Sequence, residues 1–282
     1  MATETVAVLG LGLLGAGFAQ KLAENGFQVR VANRTAAKAI ALAGPGIVAC
    51  ETFAEAVAGA DRVHLVLSED DAVDSVLAQI RGNLAEGVPV IDHSTNLPDR
   101  VAARCAQLWA DGVQYLHAPV FMGPRDSRAA TGLMLIAGPT AIVEALTPKL
   151  QAMTGRVWHV GERTDLAALH KLSGNALILG LAGLLGDVLK MGAHHGLSTD
   201  EVLGLFQVFT PGGALPFVGQ RVAHADTNPT SFSLTMARKD LRLMLENASG
   251  GAPLTTLPAV AAAMDAALAK GLAEKDFAIY AR

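Results

Sequence analysis

The sequence predicts an α/β chain: a doubly wound, mainly parallel sheet first, then one long connecting helix and an all-α remainder. Three observations carry this. Apolar, β-branched runs alternate with helix-like stretches up to about residue 160. Helix-spaced apolar residues then run almost unbroken from Thr164 to His195, and no convincing strand follows. Strands alternating with helices of this length argue for βαβ units and a parallel sheet.

The first strand, Thr5–Leu9, breaks at Gly10, and Gly12 and Gly15 follow before a helix-like stretch that reaches Gly26. This is G-x-G-x-x-G at a strand-to-helix turn, the context in which the pattern implies dinucleotide binding. There the first glycine permits the tight turn, the second lets a pyrophosphate approach the backbone, and the third lets helix lie close on strand. The helix N-terminus adds unpaired N–H groups and the positive end of its dipole. The expected cofactor contacts are therefore Gly10, Leu11, Gly12, Leu13, Leu14 and Gly15.

Further strands are expected at Gln28–Ala32, Arg62–Leu67, Val88–Asp92, Val113–His117, Leu133–Ala137 and Arg156–Val160. Among the intervening helices, Thr52–Gly59 opens with Thr52 and Glu55 at capping-box spacing. Ligands on such sheets bind beyond the carboxyl ends of the strands, where strand order reverses. The loops after Leu9, Ala32, Leu67, Asp92 and His117 should then share one rim.

The long helix ends at Gly196, a residue suited to the position just past a helix, and would be roughly 45 Å long. Its stretch Leu172–Gly186 is uncharged but spans 15 residues, short of the roughly 20 that cross a bilayer. It reads as a buried helix of a soluble chain. Further helices are expected at Ser198–Phe206, Ser233–Ala248 and Leu257–Lys270. The expected division is residues 1–162 for the nucleotide domain, 163–196 for the connecting helix and 197–282 for the all-α domain.

Composition narrows the function. With 51% hydrophobic residues the 282-residue chain can bury a large core, and a formal charge of −4 offers no basic footprint for nucleic acid. Cys50 and Cys105 lie far apart, so neither a disulfide framework nor a zinc site is expected. The start of the chain lacks the pattern of a secretory leader, and a cytoplasmic setting is the expectation. His194 and His195 sit near a helix end without an acid or cysteine at ligand spacing. They answer the helix dipole, and no metal is expected.

Chemistry centres on Lys171, on the long helix, with Asn175 one turn later on the same face. Reduction of a carbonyl needs a proton for the oxygen while hydride arrives at carbon. A lysine can donate that proton and an amide can orient it. The alternative is a lysine that merely reaches out of an apolar helix to solvent.

Six blocks in order, Gly10-Leu-Gly-Leu-Leu-Gly15, Asn33-Arg-Thr35, Asp92-His-Ser-Thr95, Ala118-Pro-Val120, Lys171-Leu-Ser-Gly-Asn175 and Lys239-Asp-Leu241, resemble the β-hydroxyacid dehydrogenase family. That family includes 3-hydroxyisobutyrate dehydrogenase, tartronate semialdehyde reductase and the glyoxylate/succinic semialdehyde reductases. The resemblance covers nearly the whole chain. It implies a Rossmann-like first domain in a 6-phosphogluconate-dehydrogenase-type architecture, with Lys171 as the catalytic lysine and Asn175 as its partner. It also implies that Leu67, Ser68, Thr95 and Lys239 contact the cofactor.

Cofactor choice can be read from the end of the second strand. NAD sites usually place an acid there on the ribose 2′-OH, whereas this chain has Asn33-Arg34-Thr35. Arg34 can clamp a 2′-phosphate, with Asn33, Thr35 and Lys38 adding donors, so NADP is expected over NAD. The alternative is that Arg34 lies on the adenine face. The substrate loop departs from the family, whose Asp-Ala-Pro-Val-Ser-Gly-Gly becomes His117-Ala-Pro-Val-Phe121-Met122-Gly123. Phe121, Met122, Gly123 and Asn175 are the expected substrate contacts, in a tighter or more apolar pocket; core packing of Phe121 and Met122 is the alternative.

The expected function is an NADP-dependent oxidoreductase acting between a small aldehyde or keto acid and its hydroxyacid. Imine-reductase-like chemistry on C=N bonds and a non-catalytic NADP-binding sensor are the alternatives. Gly180, Gly183 and Gly186 lie close to one stripe of the long helix and would let another helix approach, so a homodimer or homotetramer is expected.

Overall fold

A computed structural model describes residues 4–282; the first three residues of the expected nucleotide domain lie outside the described residues. β1 (Thr5–Leu9) shows why the chain folds as a layered sheet. Val6 and Val8 point into one apolar cluster, Ala7 and Leu9 into another on the opposite face. All four are fully buried, as befits a parallel strand covered on both sides.

In chain order there follow α1 (Leu13–Glu24), β2 (Gln28–Ala32), α2 (Ala36–Leu42), β3 (Ile47–Ala49), α3 (Phe53–Val57), β4 (Arg62–Leu65) and α4 (Asp70–Ile80). Next come β5 (Pro89–Asp92), α5 (Pro98–Ala110), β6 (Gln114–His117), β7 (Val120–Phe121), α6 (Pro124–Ala129), β8 (Leu133–Ala137), α7 (Thr140–Gln151) and β9 (Arg156–Gly161). The sheet order is β3-β2-β1-β4-β5-β6-β8-β7, with β9 paired to β8. Neighbours from β3 across to β6 are parallel, while β8 runs antiparallel to β6 and β7. The order reverses between β1 and β4, which opens a crevice beyond their carboxyl ends.

α8 (Leu166–His194) is a single 29-residue helix, followed by α9 (Thr199–Val208), α10 (Leu215–Ala223), α11 (Leu234–Asn247) and α12 (Leu257–Ala269). The chain divides within α8 into a unit ending at Asn175 and a second beginning at Ala176. The second unit has its own core, in which Leu234 and Leu241 of α11 meet Leu257, Ala261 and Met264 of α12.

Three differences from the sequence reading have physical causes. β3 and β7 hold three and two residues, too few to show a period, and α10 begins Leu-Pro after a glycine pair. The third expected strand stops at Leu65 because Val66 and Leu67 leave the sheet to line the crevice. The expectation of a buried long helix is corrected: only 6% of the most apolar 18-residue window of α8 is buried. Leu177, Ile178, Leu179 and Leu181 are each at least half exposed. A helix apolar all round presents more surface than its neighbours in one chain cover.

Candidate active site

The glycine turn joins β1 to α1 and is shaped by contacts rather than by flexibility alone. Gly10 has φ +99°, and a Cβ there would lie 2.3 Å from the Val66 carbonyl oxygen. A Cβ at Gly15 would fall 2.0 Å from the Gly10 carbonyl oxygen. At Gly12 a Cβ would meet nothing within 4 Å, so the middle glycine faces open space. Gly12 also precedes α1 without capping its N–H groups by a side chain, which leaves them for an anion. The turn fits a pyrophosphate.

A cleft of about 1010 Å³ opens beside it, at the upper end of the range for ligand sites of roughly 300–1,000 Å³. Gly10, Leu11, Gly12, Leu13 and Leu14 line it, as do Asn33, Arg34 and Thr35. Leu67, Ser68 and Thr95 join them from the loops after β4 and β5, with Met122 and Lys171 completing the wall. Gly15 lies behind the turn. Phe121, Gly123 and Asn175 do not line this cleft. Lys239 lies on α11 in the second unit, where its ammonium pairs with Asp240 at 2.8 Å.

Asn33 differs from its expected part as a phosphate donor. Its Oδ1 accepts the Leu11 N–H at 2.9 Å and its Nδ2 donates to the Thr35 carbonyl at 3.1 Å. The side chain is occupied in clasping the glycine turn to the end of β2. Arg34 and Lys38 remain exposed on the cleft and can meet a phosphate there.

Lys171 projects from α8 towards β7. Its Nζ donates to the Val120 carbonyl at 2.7 Å and sits 4.3 Å from the centroid of the Phe121 ring. The side chain is half-buried, and burial lowers its pKa from the ordinary lysine value. Asn175, also half-buried, follows one turn later. An ammonium with a depressed pKa on a nucleotide-sized cleft is equipped to give up a proton.

The sequence reading missed a buried polar chain that holds the cleft's floor. Arg62 Nε donates to His64 Nε2 at 3.1 Å. His64 Nδ1 must then carry its proton, which it donates to His93 Nε2 at 2.8 Å. His93 Nδ1 in turn donates to the Ala118 carbonyl at 2.7 Å, on the segment that leads to Val120. Both rings are neutral in this arrangement. Burial drives the His93 pKa down to about 4 and that of His64 well below its ordinary value, with His93 and Arg62 adding to the effect. His93 lines the cleft.

Ser94 beside it accepts the Leu67 N–H at 3.0 Å, and the Ser94 carbonyl accepts from His117 Nε2 at 2.9 Å. The loops after β4, β5 and β6 are thus tied together. The available signal was a cationic and an imidazole side chain, Arg62 and His64, two apart in an apolar strand.

Comparison with known proteins bears on the nucleotide domain and the fold. Residues 5–161 match the NAD binding domain of 6-phosphogluconate dehydrogenase. Glyoxylate/succinic semialdehyde reductase 1 of Arabidopsis thaliana is 28% identical over 96% of this chain and 95% of its own. The uncharacterized oxidoreductase YfjR of Bacillus subtilis is 29% identical over 97% of each. An imine reductase of Streptomyces aurantiacus superposes with a TM-score of 0.89 at 22% identity, covering 99% of this chain and 98% of that one; at that identity it speaks for the fold alone. With a nucleotide domain matched over more than half its length, the chain belongs to the β-hydroxyacid dehydrogenase family of NAD(P)-dependent oxidoreductases.

Proposed function

We propose that the chain is an NADP-dependent reductase of small aldehydes or keto acids, with Lys171 as proton donor and Asn175 orienting the reacting groups. The observation that carries this reading is the Lys171 ammonium on the same cleft as the glycine turn and Arg34. NADPH, when bound, supplies the hydride. Lys171 keeps one N–H on the Val120 carbonyl and has two others for a substrate oxygen. As hydride reaches the carbonyl carbon, the oxygen takes the proton from Nζ and becomes a hydroxyl. The neutral amine then regains a proton from water. The same groups serve in reverse for oxidation of a hydroxyacid. The test is NADPH oxidation against semialdehydes, 2-keto acids and cyclic imines. The last arm addresses C=N reduction.

The cofactor preference follows from Arg34 and the missing acid. NADPH is expected to bind more tightly than NADH, and Arg34→Ala to weaken NADPH about 10- to 100-fold, the worth of a charged hydrogen bond. NADH binding should change little. Titration of both cofactors with both proteins checks this, and equal affinities in the wild type would refute it.

Assembly is a further expectation. The exposed leucines and isoleucine of α8 stand close together along one helix, and a contiguous exposed apolar patch marks an interaction site. Gly180 and Gly186 on the same helix face open space. A homodimer or homotetramer covering this helix is expected, and light scattering that finds a monomer at micromolar concentration overturns it.

A further inference from the structure

The geometry points to Phe121 as a positioning residue for Lys171: its ring, seated against Gly174, fixes where the ammonium meets the cleft. Three contacts support this. The Lys171 ammonium lies 4.3 Å from the ring centroid. The ring tip enters the space a side chain at position 174 would fill, since a Cβ on Gly174 would lie 2.3 Å from Phe121 Cζ. At its base Phe121 is fixed by pairing with Leu133 across β7 and β8, and it packs on the cluster of Leu135, Ala137 and Ala167. The ring is therefore held from both ends, and the flexible lysine stem is held by the ring.

The contact has an electrostatic consequence. The face of an aromatic ring is negative and favours the ammonium over the neutral amine; exclusion of water favours the amine. Burial accounts for the lowered Lys171 pKa with no charged neighbour contributing. Titratable groups near it are His170, exposed on α8, His93, just past β5 and held neutral, and Glu69 and Asp71, which line the same cleft. The ring and its dryness thus set the proton affinity of Lys171 in opposite senses.

Two substitutions separate these effects. Phe121→Leu keeps the cover and removes the π face; Phe121→Ser admits water. In protein labelled with 13C at lysine Cε, with Lys171→Met assigning the signal, the Lys171 titration midpoint is expected to fall in Phe121→Leu and to rise in Phe121→Ser. Turnover should drop about 3- to 30-fold in both, the worth of a desolvated cation–π contact, while the NADPH dissociation constant stays within about twofold. Gly174→Ala should reproduce the loss of turnover by displacing the ring. Midpoints that stay at the wild-type value in both variants, or turnover unchanged in Gly174→Ala, would overturn the assignment. The inference rests on Lys171 as proton donor. The titration reads the contact without turnover, so an active Lys171→Met would remove the mechanism and leave the contact standing.

Discussion

Lys171→Met is expected to lower turnover about 10²- to 10⁴-fold, the range for a positioned general acid, with NADPH affinity essentially unchanged. Methionine keeps the unbranched stem and its burial, so the helix and β7 stay in contact. Only the ammonium is lost, together with its hydrogen bond to Val120. The glycine turn, its Asn33 clasp and Arg34 all lie on other elements. Asn175→Ala should cost less, since an amide orients and transfers no proton. Lys171→Arg should not rescue, because a guanidinium keeps its proton through any accessible pH. The pH profile has a definite sign: reduction needs the protonated amine, so turnover should be level at lower pH and fall as pH rises through the lowered Lys171 pKa. Single-turnover reduction of whichever substrate the panel reveals is the measurement. A Lys171→Met rate within a few-fold of wild type would end the lysine mechanism.

The parts of this fold that were legible in sequence are those decided locally. Thr5–Leu9 and Gln28–Ala32 match the expected strands residue for residue: the first is an apolar run buried on both faces, and in the second Val29 and Val31 alternate with Gln28 and Arg30. The turn at Gly10 was legible because its glycines stand at the boundary of two periodic segments. What stayed hidden depends on partners far away in the chain. Whether Asn33 touches a phosphate or clasps Leu11 is decided by the distance between two loops. His64 reads as an ordinary strand residue and His93 as part of the loop after Asp92, until the register of β4 on β5 pairs His64 with Ile91 and brings His93 within reach. Position in the loop leaves Phe121 open between substrate contact and core packing, and its direction follows from the gap at Gly174 some fifty residues on. The apolar run of α8 was visible, while the surface that covers it was not, since hydrophobicity states a need for burial without naming the partner.

In the second unit the largest loss of stability is expected from Asp187→Ala, about 3–5 kcal/mol, as for removal of one side of a buried charged network. Asp187 is fully buried on α8. Its carboxylate accepts the backbone N–H groups of Thr255 and Thr256 at 2.6 Å each and of Leu257 at 2.9 Å. The N–H groups of Thr256 and Leu257 are among those that a helix leaves unpaired at its start. Thr256, at the N-cap of α12, makes no side-chain cap, so a residue some seventy positions earlier performs the capping. Gly183, one turn before Asp187, admits the approach: a Cβ there would lie 2.8 Å from Thr256 Oγ1. Lys190 adds its ammonium at 3.6 Å.

Against the cost of burial, these hydrogen bonds and the lysine hold the Asp187 pKa below the usual carboxylate value. A folded-state pKa below the unfolded one contributes stability that is present above the unfolded pKa and lost as pH falls through the folded one. Below about pH 5, wild-type stability should therefore decline more steeply than that of Asp187→Asn, which is already neutral and should cost about 1–3 kcal/mol at pH 7. Urea unfolding at fixed protein concentration across pH 3–7 measures both effects. An Asp187→Ala protein within 1 kcal/mol of wild type would show that water, rather than the carboxylate, satisfies the start of α12.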